Sequence, residues 1–453
     1  MSFPKNIFKA YDIRGLVEGE LSEDLAYGVG RAFVVFLKKQ NLKGEYVVVG
    51  RDMRQTSPTF ASAVVRGITD EGWDVLDIGM ASTPLFNFAC IHYPENVGGI
   101  IVTASHNPVE YNGFKMTLGN GVPVGQGNGM EEIRDLVERN DFKDVEKKGD
   151  VKTKEVLRDY LNRVVNLVDI KKIKPLKIVI DAGNGMAKST FVELLKRLPV
   201  KVDYLYFEPD GRFPNHEANP LKTETLHDLQ KKVLEVGADF GFALDGDADR
   251  IGVVDEKGEV VGASFVAALV GLEVLKKHPG ALMLYDLCTS KIVREVWEQN
   301  GAITEMCPVG HALIKKLMNS DQATFASELS LHLYYRDMYF MESSDLSLLY
   351  ILQILSRENV PLSVLVAPLK KYWHSGNINF KVEDKEGIMK KVEEKYGPGA
   401  KKVSYIDGIW MEFDWGWFNL RPSNTEPILR LTLEANTKEL MEEKISEIKK
   451  III

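Results

Sequence analysis

A strand–turn–helix unit is recognisable at residues 176–198, which read LKIVIDAGNGMAKSTFVELLKRL. Its first part, KIVID, is a short apolar run of the kind that forms a buried strand. The turn AGNGM contains two glycines, and the remainder has the apolar spacing of an amphipathic helix. A short apolar strand that leads through a glycine turn into a helix is typical of parallel α/β folds.

The same kind of unit recurs on both sides of this stretch. Upstream, YVVVG at 46–50 precedes a helix-like segment at 59–72, and the apolar run GGIIVTA occupies 98–104. Downstream, ADFGFALDGDADRIGVVDEKGEVV at 238–261 reads as a strand, an acidic loop and a second strand, and ALMLYDLCTS at 281–290 begins a third unit. This alternation predicts three similar α/β domains with mixed, largely parallel sheets.

The last part of the chain has a different pattern. The runs INFKVED, KVSYIDGIWMEF, GWFNLRP and ILRLTLEA read as strands, and KEGIMKKVEEKY and KELMEEKISEIKK read as helices. Strands with helices to one side predict a smaller α+β domain with a largely antiparallel sheet. The charged segment 131–154 reads as a solvated helix and connector, which gives a first boundary. We therefore expect domains over residues 1–152, 153–256, 257–369 and 370–453.

The composition excludes several classes of protein. Hydrophobic residues make up 45% and charged residues 27% of the 453 residues, as in ordinary soluble globular proteins. The net charge of −8 argues against a dedicated nucleic-acid binder and a polybasic membrane anchor, although a locally basic cleft can still take an anionic substrate. Three scattered cysteines do not suggest a disulfide framework or a cysteine-based zinc site. Without a signal-peptide pattern or an apolar stretch of about 20 residues, we expect a cytoplasmic protein with no nucleic-acid or membrane partner.

Residues 102–115, VTASHNPVEYNGFK, carry an apolar strand into a polar turn. Asn-Pro and Asn-Gly are turn formers, so one interpretation is a surface loop in which Ser105 caps a neighbouring amide. The other interpretation is functional, because open α/β sheets bind ligands at the carboxyl ends of their strands. No GxSxG elbow is present, which argues against an α/β-hydrolase, and Ser105 can instead carry a phosphoryl group.

Three acidic residues alternate in the sequence ALDGDADR, namely Asp245, Asp247 and Asp249. In an extended or looping backbone they project to one side, where their mutual repulsion favours a hard divalent cation such as Mg²⁺. A calcium loop fits in part, since Glu256 is at the twelfth position, but Arg250 stands where such a loop needs glycine. A metal-free acidic turn is the remaining alternative.

Two more polar stretches and one histidine complete the set of candidates. In FASELSLH, Glu328 and Ser330 can both reach a sugar hydroxyl, or Glu328 is a buried salt-bridge partner. His311 stands at a helix start, as an acid or base or as a helix cap. The turn LRPSNTEP is either only a turn or a phosphate cradle built from Arg421, Ser423, Asn424 and Thr425.

Taken together and in this order, these loops resemble the α-D-phosphohexomutase superfamily, particularly its phosphomannomutase/phosphoglucomutase branch. The resemblance spans nearly the whole chain and includes FKAYDIRG, VGRDMR, TASHNPVEYNGFK, DAGNGM, PDGRFPNHEANP, LDGDADRIGVVDEKG, VGHALIK and RPSNTEP. It implies four domains around a central cleft, each of which contributes one loop.

The resemblance also implies a role for each matching residue. Ser105 matches the phosphoserine that exchanges phosphate with the sugar, and it completes an Mg²⁺ site with Asp245, Asp247 and Asp249. The residues that match basic groups near the transferred phosphate are Arg250, Lys115 and His311, of which the last two are acid/base candidates. The cleft is lined by residues that match Tyr11 and Arg14, and we count Arg14 and His106 among the candidate catalytic residues. The loop that anchors the non-reacting phosphate matches Arg421, Ser423, Asn424 and Thr425.

The family pattern fails in the third domain. Its sugar-reading loop is usually Gly-Glu-x-Ser-Gly-His, but Ser327 and Leu331 stand here in place of the two glycines. The loop keeps Glu328, Ser330 and His332. Cys288 stands where the branch usually has a phosphate-contacting lysine, unless it is simply a small buried residue that faces away from the cleft. The segment FMESSDLSLL also lacks the expected acidic pair.

The resemblance implies an enzyme that interconverts hexose 1-phosphate and hexose 6-phosphate, of mannose and/or glucose, through a phosphoserine and a hexose 1,6-bisphosphate intermediate. The implied cofactors are Mg²⁺ and the bisphosphate as activator, and the partner is a hexose phosphate bound to a monomer or weak dimer. The alternatives are a sugar-phosphate-binding homologue with altered or lost turnover, a Mg²⁺-dependent phosphatase, and a mutase for an amino sugar phosphate. The sequence leaves the preferred sugar open.

Overall fold

Four β-sheets follow one another along the chain in the computed structural model, which describes residues 4–143, 145–423 and 428–453. Each sheet takes its strands from one continuous part of the chain, so the four sheets mark out four domains. The first three sheets are mixed, and the fourth is antiparallel throughout. This arrangement confirms the expected fold class of three α/β domains followed by an α+β domain.

The first domain builds the loop that carries Ser105. Its elements are β1 (Ile13–Leu16), α1 (Glu23–Leu37), β2 (Tyr46–Arg51), α2 (Ser57–Asp70), β3 (Asp74–Met80), α3 (Thr83–His92), β4 (Asn96–Val102), β5 (Tyr111–Leu118), α4 (Met130–Arg139) and β6 (Val151–Thr153). The strand order is β1-β5-β4-β2-β3-β6, with antiparallel pairs on both sides of β5 and parallel pairs elsewhere. Every residue of β4 is buried, since apolar clusters cover both faces of the sheet. The start of the Ser105 loop is therefore fixed by a buried strand.

The charged segment 131–154 differs from the expected solvated helix and connector. It contains α4, but residues 151–153 form β6, which pairs with β3 and extends the first sheet. All three side chains of β6 are exposed, so the sequence lacks the apolar alternation that indicates a strand. Backbone pairing at a sheet edge does not need apolar side chains, which is why this strand was missed.

The second domain presents the aspartate loop. Its elements are α5 (Leu157–Asn166), β7 (Lys177–Asp181), α6 (Lys188–Leu195), β8 (Lys201–Leu205), α7 (His227–Val236), β9 (Phe240–Leu244), β10 (Ile251–Asp255) and β11 (Val260–Val261). The strand order is β11-β10-β9-β7-β8, in which β9, β7 and β8 are parallel and β10 runs antiparallel to both of its neighbours. Residues 245–250 join the antiparallel pair β9 and β10, so both ends of the aspartate loop are anchored in fully buried strands.

The third domain contributes a loop between two neighbouring strands. Its elements are α8 (Ala263–Lys277), β12 (Leu282–Asp286), α9 (Lys291–Gln299), β13 (Ile303–Cys307), α10 (His311–Asp321), β14 (Phe325–Ser327), β15 (Leu333–Tyr335), β16 (Met341–Glu342), α11 (Ser344–Glu358) and α12 (Leu362–Val366). The order is β13-β12-β14-β15-β16, with parallel pairs among the first three strands and antiparallel pairs among the last three. The hairpin of β14 and β15 projects residues 328–332 from the sheet.

The fourth domain consists of β17 (Trp373–Lys381), α13 (Lys385–Tyr396), β18 (Lys402–Ser404), β19 (Ile409–Phe413), β20 (Gly416–Pro422), β21 (Ile428–Ala435) and α14 (Lys438–Ile452). The order is β17-β21-β20-β19-β18. The run KVSYIDGIWMEF, which we expected to be one strand, forms β18 and β19 with a turn at 405–408 between them. Its Asp-Gly dipeptide is a recognised turn signal.

Core packing joins the first three domains more extensively than the fourth. One apolar cluster runs from α3 through the second domain to α11, whereas the fourth domain has a separate cluster of its own. The third and fourth domains share a small cluster of buried side chains: Leu287, Cys288, Trp410 and Trp417. None of the described helices combines the length and the apolar character that a membrane crossing requires.

Candidate active site

Ser105 lies three residues beyond the end of β4 and is almost completely buried. Its backbone is left-handed, with a φ of 51°, a conformation that is uncommon outside glycine and is enriched at functional sites. The Ser105 hydroxyl donates a hydrogen bond of 2.8 Å to Asp245 Oδ2 and lies 3.1 Å from Nδ1 of His106. The strand-end serine of the first domain is therefore in direct contact with the acidic loop of the second.

A buried arginine that the sequence analysis did not single out supports the Ser105 loop from behind. The two terminal nitrogens of Arg54 donate four hydrogen bonds of 2.5–3.1 Å to backbone carbonyls of the loop. The accepting carbonyls belong to Ser105, Asn107, Pro108 and Tyr111. Arg54 belongs to the quoted stretch VGRDMR, but only the folded chain shows that this guanidinium fixes the serine loop.

The three aspartates converge as the sequence predicted. Asp245, Asp247 and Asp249 are all buried, and one carboxylate oxygen from each lies within 4.8 Å of the others. Within the described parts of the chain, Asp247 Oδ1 is a buried oxygen that accepts no hydrogen bond, and Asp249 Oδ1 lies 3.3 Å from His332 Nε2. Clustered carboxylate oxygens of this kind are the ligands that Mg²⁺ and Ca²⁺ prefer, so the residues present fit a hard divalent cation.

Two cationic side chains partly offset the charge of the aspartates. The Lys115 ammonium donates to Asp247 Oδ2 at 2.6 Å and to Asp249 Oδ2 at 2.7 Å, and Arg250 Nε lies 4.0 Å from Asp245 Oδ2. Burial and repulsion from Asp249 and Asp247 raise the pKa of Asp245 well above its usual value. Burial acts in the same direction on Asp249, but Lys115 and His332 outweigh it and hold the pKa of Asp249 well below its usual range.

Neighbouring domains also hold the backbone of the aspartate loop. Thr83, at the start of α3, donates its hydroxyl to Asp247 Oδ2 at 2.6 Å and its backbone N–H to the Asp247 carbonyl at 2.9 Å. Ser344, at the start of α11, donates its hydroxyl to the carbonyl of Ala248 at 2.7 Å. Ala248 has a φ of 59°, so the loop is pinned where its backbone is left-handed. Ser344 lies in the segment FMESSDLSLL, whose departure from the family pattern was its only signal in the sequence.

The third domain brings a charged histidine to the same cluster. His332 Nε2 lies 3.3 Å from Asp249 Oδ1, and its Nδ1 lies 3.1 Å from Glu328 Oε2 and 2.8 Å from the Ser330 hydroxyl. Burial lowers the pKa of His332, but Asp249 and Glu328 outweigh it and raise the pKa to about 9. The pKa of Glu328 falls to about 2, because hydrogen bonding to His332 outweighs the effect of burial. Glu328 is thus a buried ion-pair partner that lies beside the aspartate loop.

Leu331 occupies a position that strongly favours glycine. Its φ of 74° is left-handed, which is a genuine outlier for a bulky side chain. The Leu331 carbonyl accepts a hydrogen bond of 3.2 Å from the backbone N–H of Ile251, the first residue of β10. Leucine at this position, where the resemblance implies glycine, therefore holds a left-handed backbone at a cost in strain.

Tyr11 and His311 lie at the junction of the first and third domains. The Tyr11 hydroxyl donates to the Val309 carbonyl at 3.0 Å, and the Tyr11 and His311 rings are 5.4 Å apart. His311 is the first residue of α10, and its ring lies 6.2 Å from that of His332. Burial and the nearby lysines Lys315 and Lys115 lower the pKa of His311 well below its usual value, so this imidazole is neutral at pH 7.

Arg14 contacts the serine loop, and His106 is part of it. Arg14 donates to Asn107 Oδ1 at 2.7 Å and to Asp12 Oδ2 at 2.5 Å. Burial, together with Arg250 and Arg14, lowers the pKa of His106 well below its usual range. Arg14 therefore lies beside Ser105 through Asn107, and His106 is neutral.

The end of β20, with Arg421 and Ser423, forms a second group of candidate residues together with Asp407. Arg421 is buried, and its Nη1 lies 3.8 Å from Oδ2 of Asp407, a residue that the sequence analysis did not identify. Ser423 is nearly buried at the end of the described strand segment, whereas Asn424 and Thr425 lie outside the described residues.

Cys288 packs between the third and fourth domains. Its side chain is 1% exposed, and its Sγ lies 3.5 Å from the Thr432 hydroxyl of β21. The Cys288 carbonyl accepts a hydrogen bond of 2.8 Å from His374 Nε2 of β17. Burial and the nearby Asp286 carboxylate raise the pKa of the Cys288 thiol to about 12, so the thiol is neutral. These contacts favour the interpretation of Cys288 as a small buried residue.

The comparisons with known proteins cover the same four domains. Family models described as phosphoglucomutase/phosphomannomutase alpha/beta/alpha domains I, II and III match residues 5–144, 158–258 and 263–372. The model for the C-terminal domain of the same family matches residues 378–451.

Individual relatives agree over nearly their whole lengths. A phosphomannomutase of Vibrio cholerae serotype O1 is 39% identical over 454 residues, which cover 98% of each chain. A phosphomannomutase of Methanocaldococcus jannaschii is 38% identical, covering 98% of this chain and 97% of the relative. The crystal structure of a phosphoglucomutase/phosphomannomutase family protein from Burkholderia thailandensis superimposes with a TM-score of 0.91 at 32% identity, covering 99% of this chain and 97% of the other. The matches at the level of motifs, domains and fold agree, and the chain belongs to the phosphoglucomutase/phosphomannomutase family.

Proposed function

We propose that this protein is a phosphohexomutase that interconverts the 1-phosphate and 6-phosphate of a hexose, mannose and/or glucose. The observation that carries the proposal is the contact of 2.8 Å between the Ser105 hydroxyl and Asp245. It joins a strained, buried serine to an acidic cluster that fits a divalent cation. Membership of the phosphoglucomutase/phosphomannomutase family and the phosphomannomutase relatives support the same reaction.

The proposed cofactor is Mg²⁺, held by Asp245, Asp247 and Asp249 with an oxygen of phosphorylated Ser105. When bound, the ion offsets negative charge on the transferring phosphoryl group. Lys115 and Arg250 supply further positive charge around the same carboxylates. Burial lowers the pKa of Lys115, but Asp247 and Asp249 outweigh it and raise the pKa, so this ammonium keeps its proton.

Phosphoryl transfer then needs one proton acceptor and one proton donor. The free hydroxyl oxygen of a bound hexose monophosphate forms a bond to the phosphorus of phosphorylated Ser105, and the bond from phosphorus to Ser105 Oγ breaks. We assign His311 as the acceptor of the hydroxyl proton, because its imidazole is neutral. We assign Lys115 as the donor that returns a proton to Ser105 Oγ, because it remains protonated beside the aspartates. The product of this first half-reaction is a hexose 1,6-bisphosphate.

The second half-reaction requires the bisphosphate to turn over, so that its other phosphate meets Ser105. Glu328, Ser330 and His332 are the proposed contacts to the sugar, because their loop lies against the metal loop. Arg421 and Ser423, with Asn424 and Thr425, are the proposed anchor for the phosphate that is not reacting. Burial, Glu328 and Asp407 raise the pKa of Tyr11 to about 12 and Arg421 opposes them, so charges of both groups act on this hydroxyl. One anchor can serve both orientations of the intermediate, because either phosphate can occupy it.

The decisive assay is a coupled measurement of mutase activity with mannose 1-phosphate and with glucose 1-phosphate, each with a catalytic amount of glucose 1,6-bisphosphate. Formation of hexose 6-phosphate supports the proposal. Release of inorganic phosphate without hexose 6-phosphate would indicate a phosphatase, and binding without turnover would indicate a sugar-phosphate-binding homologue. An amino sugar phosphate serves as a third substrate. The cytoplasmic location and the monomer or weak dimer expected from the sequence stay predictions.

A further inference from the structure

The turn between β18 and β19 presents one carboxylate in a fixed position. Gly408 has a φ of 71°, and a Cβ atom there would lie 2.4 Å from the Leu420 carbonyl oxygen, so no other residue fits without a shift of the backbone. The side chain of the fully buried Asn419 donates a hydrogen bond of 2.9 Å to the Asp407 carbonyl. The backbone on the C-terminal side of Asp407 is therefore fixed by β20.

The Asp407 side chain connects the phosphate loop to the third domain. Its Oδ2 lies 3.8 Å from Arg421 Nη1. Burial raises the pKa of Asp407, and Arg421 and the backbone N–H of Val309 oppose that shift. The Val309 carbonyl in turn accepts the hydrogen bond from Tyr11. Three domains thus meet at a single peptide segment, and the carboxylate of Asp407 lies where this segment faces Arg421.

The position of Asp407 is unfavourable for a phosphate anchor. A phosphate that binds to Arg421 brings an anion close to an existing carboxylate, and like charges a few ångströms apart oppose one another. Asp407 also competes directly for the positive charge of Arg421, with which its carboxylate forms an ion pair.

We propose that Asp407 is an internal competitor for the substrate phosphate at Arg421, a residue that sets affinity by limiting the strength of the phosphate anchor. The inference rests on the proposed mutase function and explains why a weaker anchor is useful. A bisphosphate intermediate that must release one phosphate and rebind the other is slowed by an anchor that holds either phosphate too strongly. Asp407 keeps the interaction weak enough for this exchange.

The test compares wild-type protein with Asp407→Asn, which removes the charge but keeps the size of the side chain and an oxygen that can accept a hydrogen bond. Dissociation constants for mannose 1-phosphate and for inorganic phosphate are measured by isothermal titration calorimetry in one Mg²⁺-containing buffer. Asp414→Asn is the matched control, because Asp414 belongs to the same domain and is exposed. Loss of a like charge beside the phosphate predicts dissociation constants about 3- to 10-fold lower in Asp407→Asn for both ligands. The KM falls with them, and kcat does not rise.

The outcomes separate the inference from the function on which it rests. If wild-type protein turns over a hexose phosphate and Asp407→Asn binds both ligands no more tightly, the competitor role is wrong and the mutase function stands. Weaker binding in the variant would instead indicate that Asp407 orients Arg421. If wild-type protein neither binds nor converts a hexose phosphate, the proposed function and the inference both fail. Should circular dichroism show that Asp407→Asn is unfolded, Asp407→Ser replaces it, since it also lacks the charge and is judged by the same criterion.

Discussion

The substitution Arg54→Lys keeps the positive charge at this position but removes the planar set of hydrogen-bond donors of the guanidinium. The guanidinium reaches four carbonyls of the Ser105 loop from two nitrogens in one plane, at 2.5–3.1 Å. A lysine ammonium is a single point with three donors, so it cannot reproduce this fork. At least two loop carbonyls are expected to lose their partner in Arg54→Lys.

The size of the effect follows from the cost of unpaired buried groups. Each carbonyl left without a donor costs about 1–3 kcal/mol, so the loop is expected to lose about 2–6 kcal/mol of stability against local opening. An opening free energy that is about 2 kcal/mol smaller raises the exchange rate of the protected amides about 30-fold, and larger losses raise it further.

Hydrogen exchange of the loop amides measures this quantity without relying on activity. The amides of Ser105, Asn107 and Tyr111 are suitable, because each donates a hydrogen bond within residues 103–111. The control is Arg66→Lys, which makes the same substitution at an exposed position of α2. We expect faster exchange and a lower kcat in Arg54→Lys only. Exchange at the wild-type rate in that variant would refute the argument that Arg54 holds the loop.

Three further predictions concern the metal, the domain interface and pH. Removal of divalent cations with EDTA is expected to abolish turnover, and added Mg²⁺ is expected to restore it. Asp247→Asn is expected to raise the Mg²⁺ concentration that turnover requires, because one charge is lost from the site. Activity that does not change on chelation would contradict the metal assignment. Cys288→Lys is expected to raise the KM for a hexose 1-phosphate, because a buried ammonium near Arg421 disturbs the contact between position 288 and Thr432. A KM lowered severalfold would instead show that position 288 contacts the substrate phosphate. Burial raises the pKa of Asp345 to about 6, so its ionisation opposes folding above that pH and does so progressively less as pH falls toward about 4. Asp345→Asn is therefore expected to raise Tm at about pH 8 by more than at about pH 4, and an equal change at both pH values would contradict this cause.

Local sequence patterns predicted the parts of the site that single loops provide. Ser105 follows a buried strand, and the three aspartates alternate along the loop that joins two buried strands. The clustering of the aspartates could therefore be predicted from where these strands end. The mixed sheets and the antiparallel C-terminal sheet were predicted from apolar runs and their alternation with helical patterns.

Contacts between distant segments were not predictable in this way. Arg54 acts on carbonyls more than 50 residues away, and Ser344 acts on a loop almost 100 residues earlier in the chain. Asp407 was not identified because it lies in a run that reads as one strand. The Asp-Gly dipeptide in that run is a signal from which the turn could have been predicted. The side chains of strand β6 are all exposed, and the strand pairs with β3 through its backbone. A pattern of apolar side chains therefore could not predict it.

The central claim is that Ser105 carries the phosphoryl group, and phosphate mapping tests it most directly. Wild-type protein and Ser105→Ala are incubated with glucose 1,6-bisphosphate and digested, and the peptide that contains TASHNP is analysed by mass spectrometry. The account predicts phosphate on Ser105 in the wild-type peptide, transfer of that phosphate to an added hexose monophosphate, and loss of most mutase activity in Ser105→Ala. Full activity in Ser105→Ala, or wild-type turnover with no phosphate on this peptide, would contradict it.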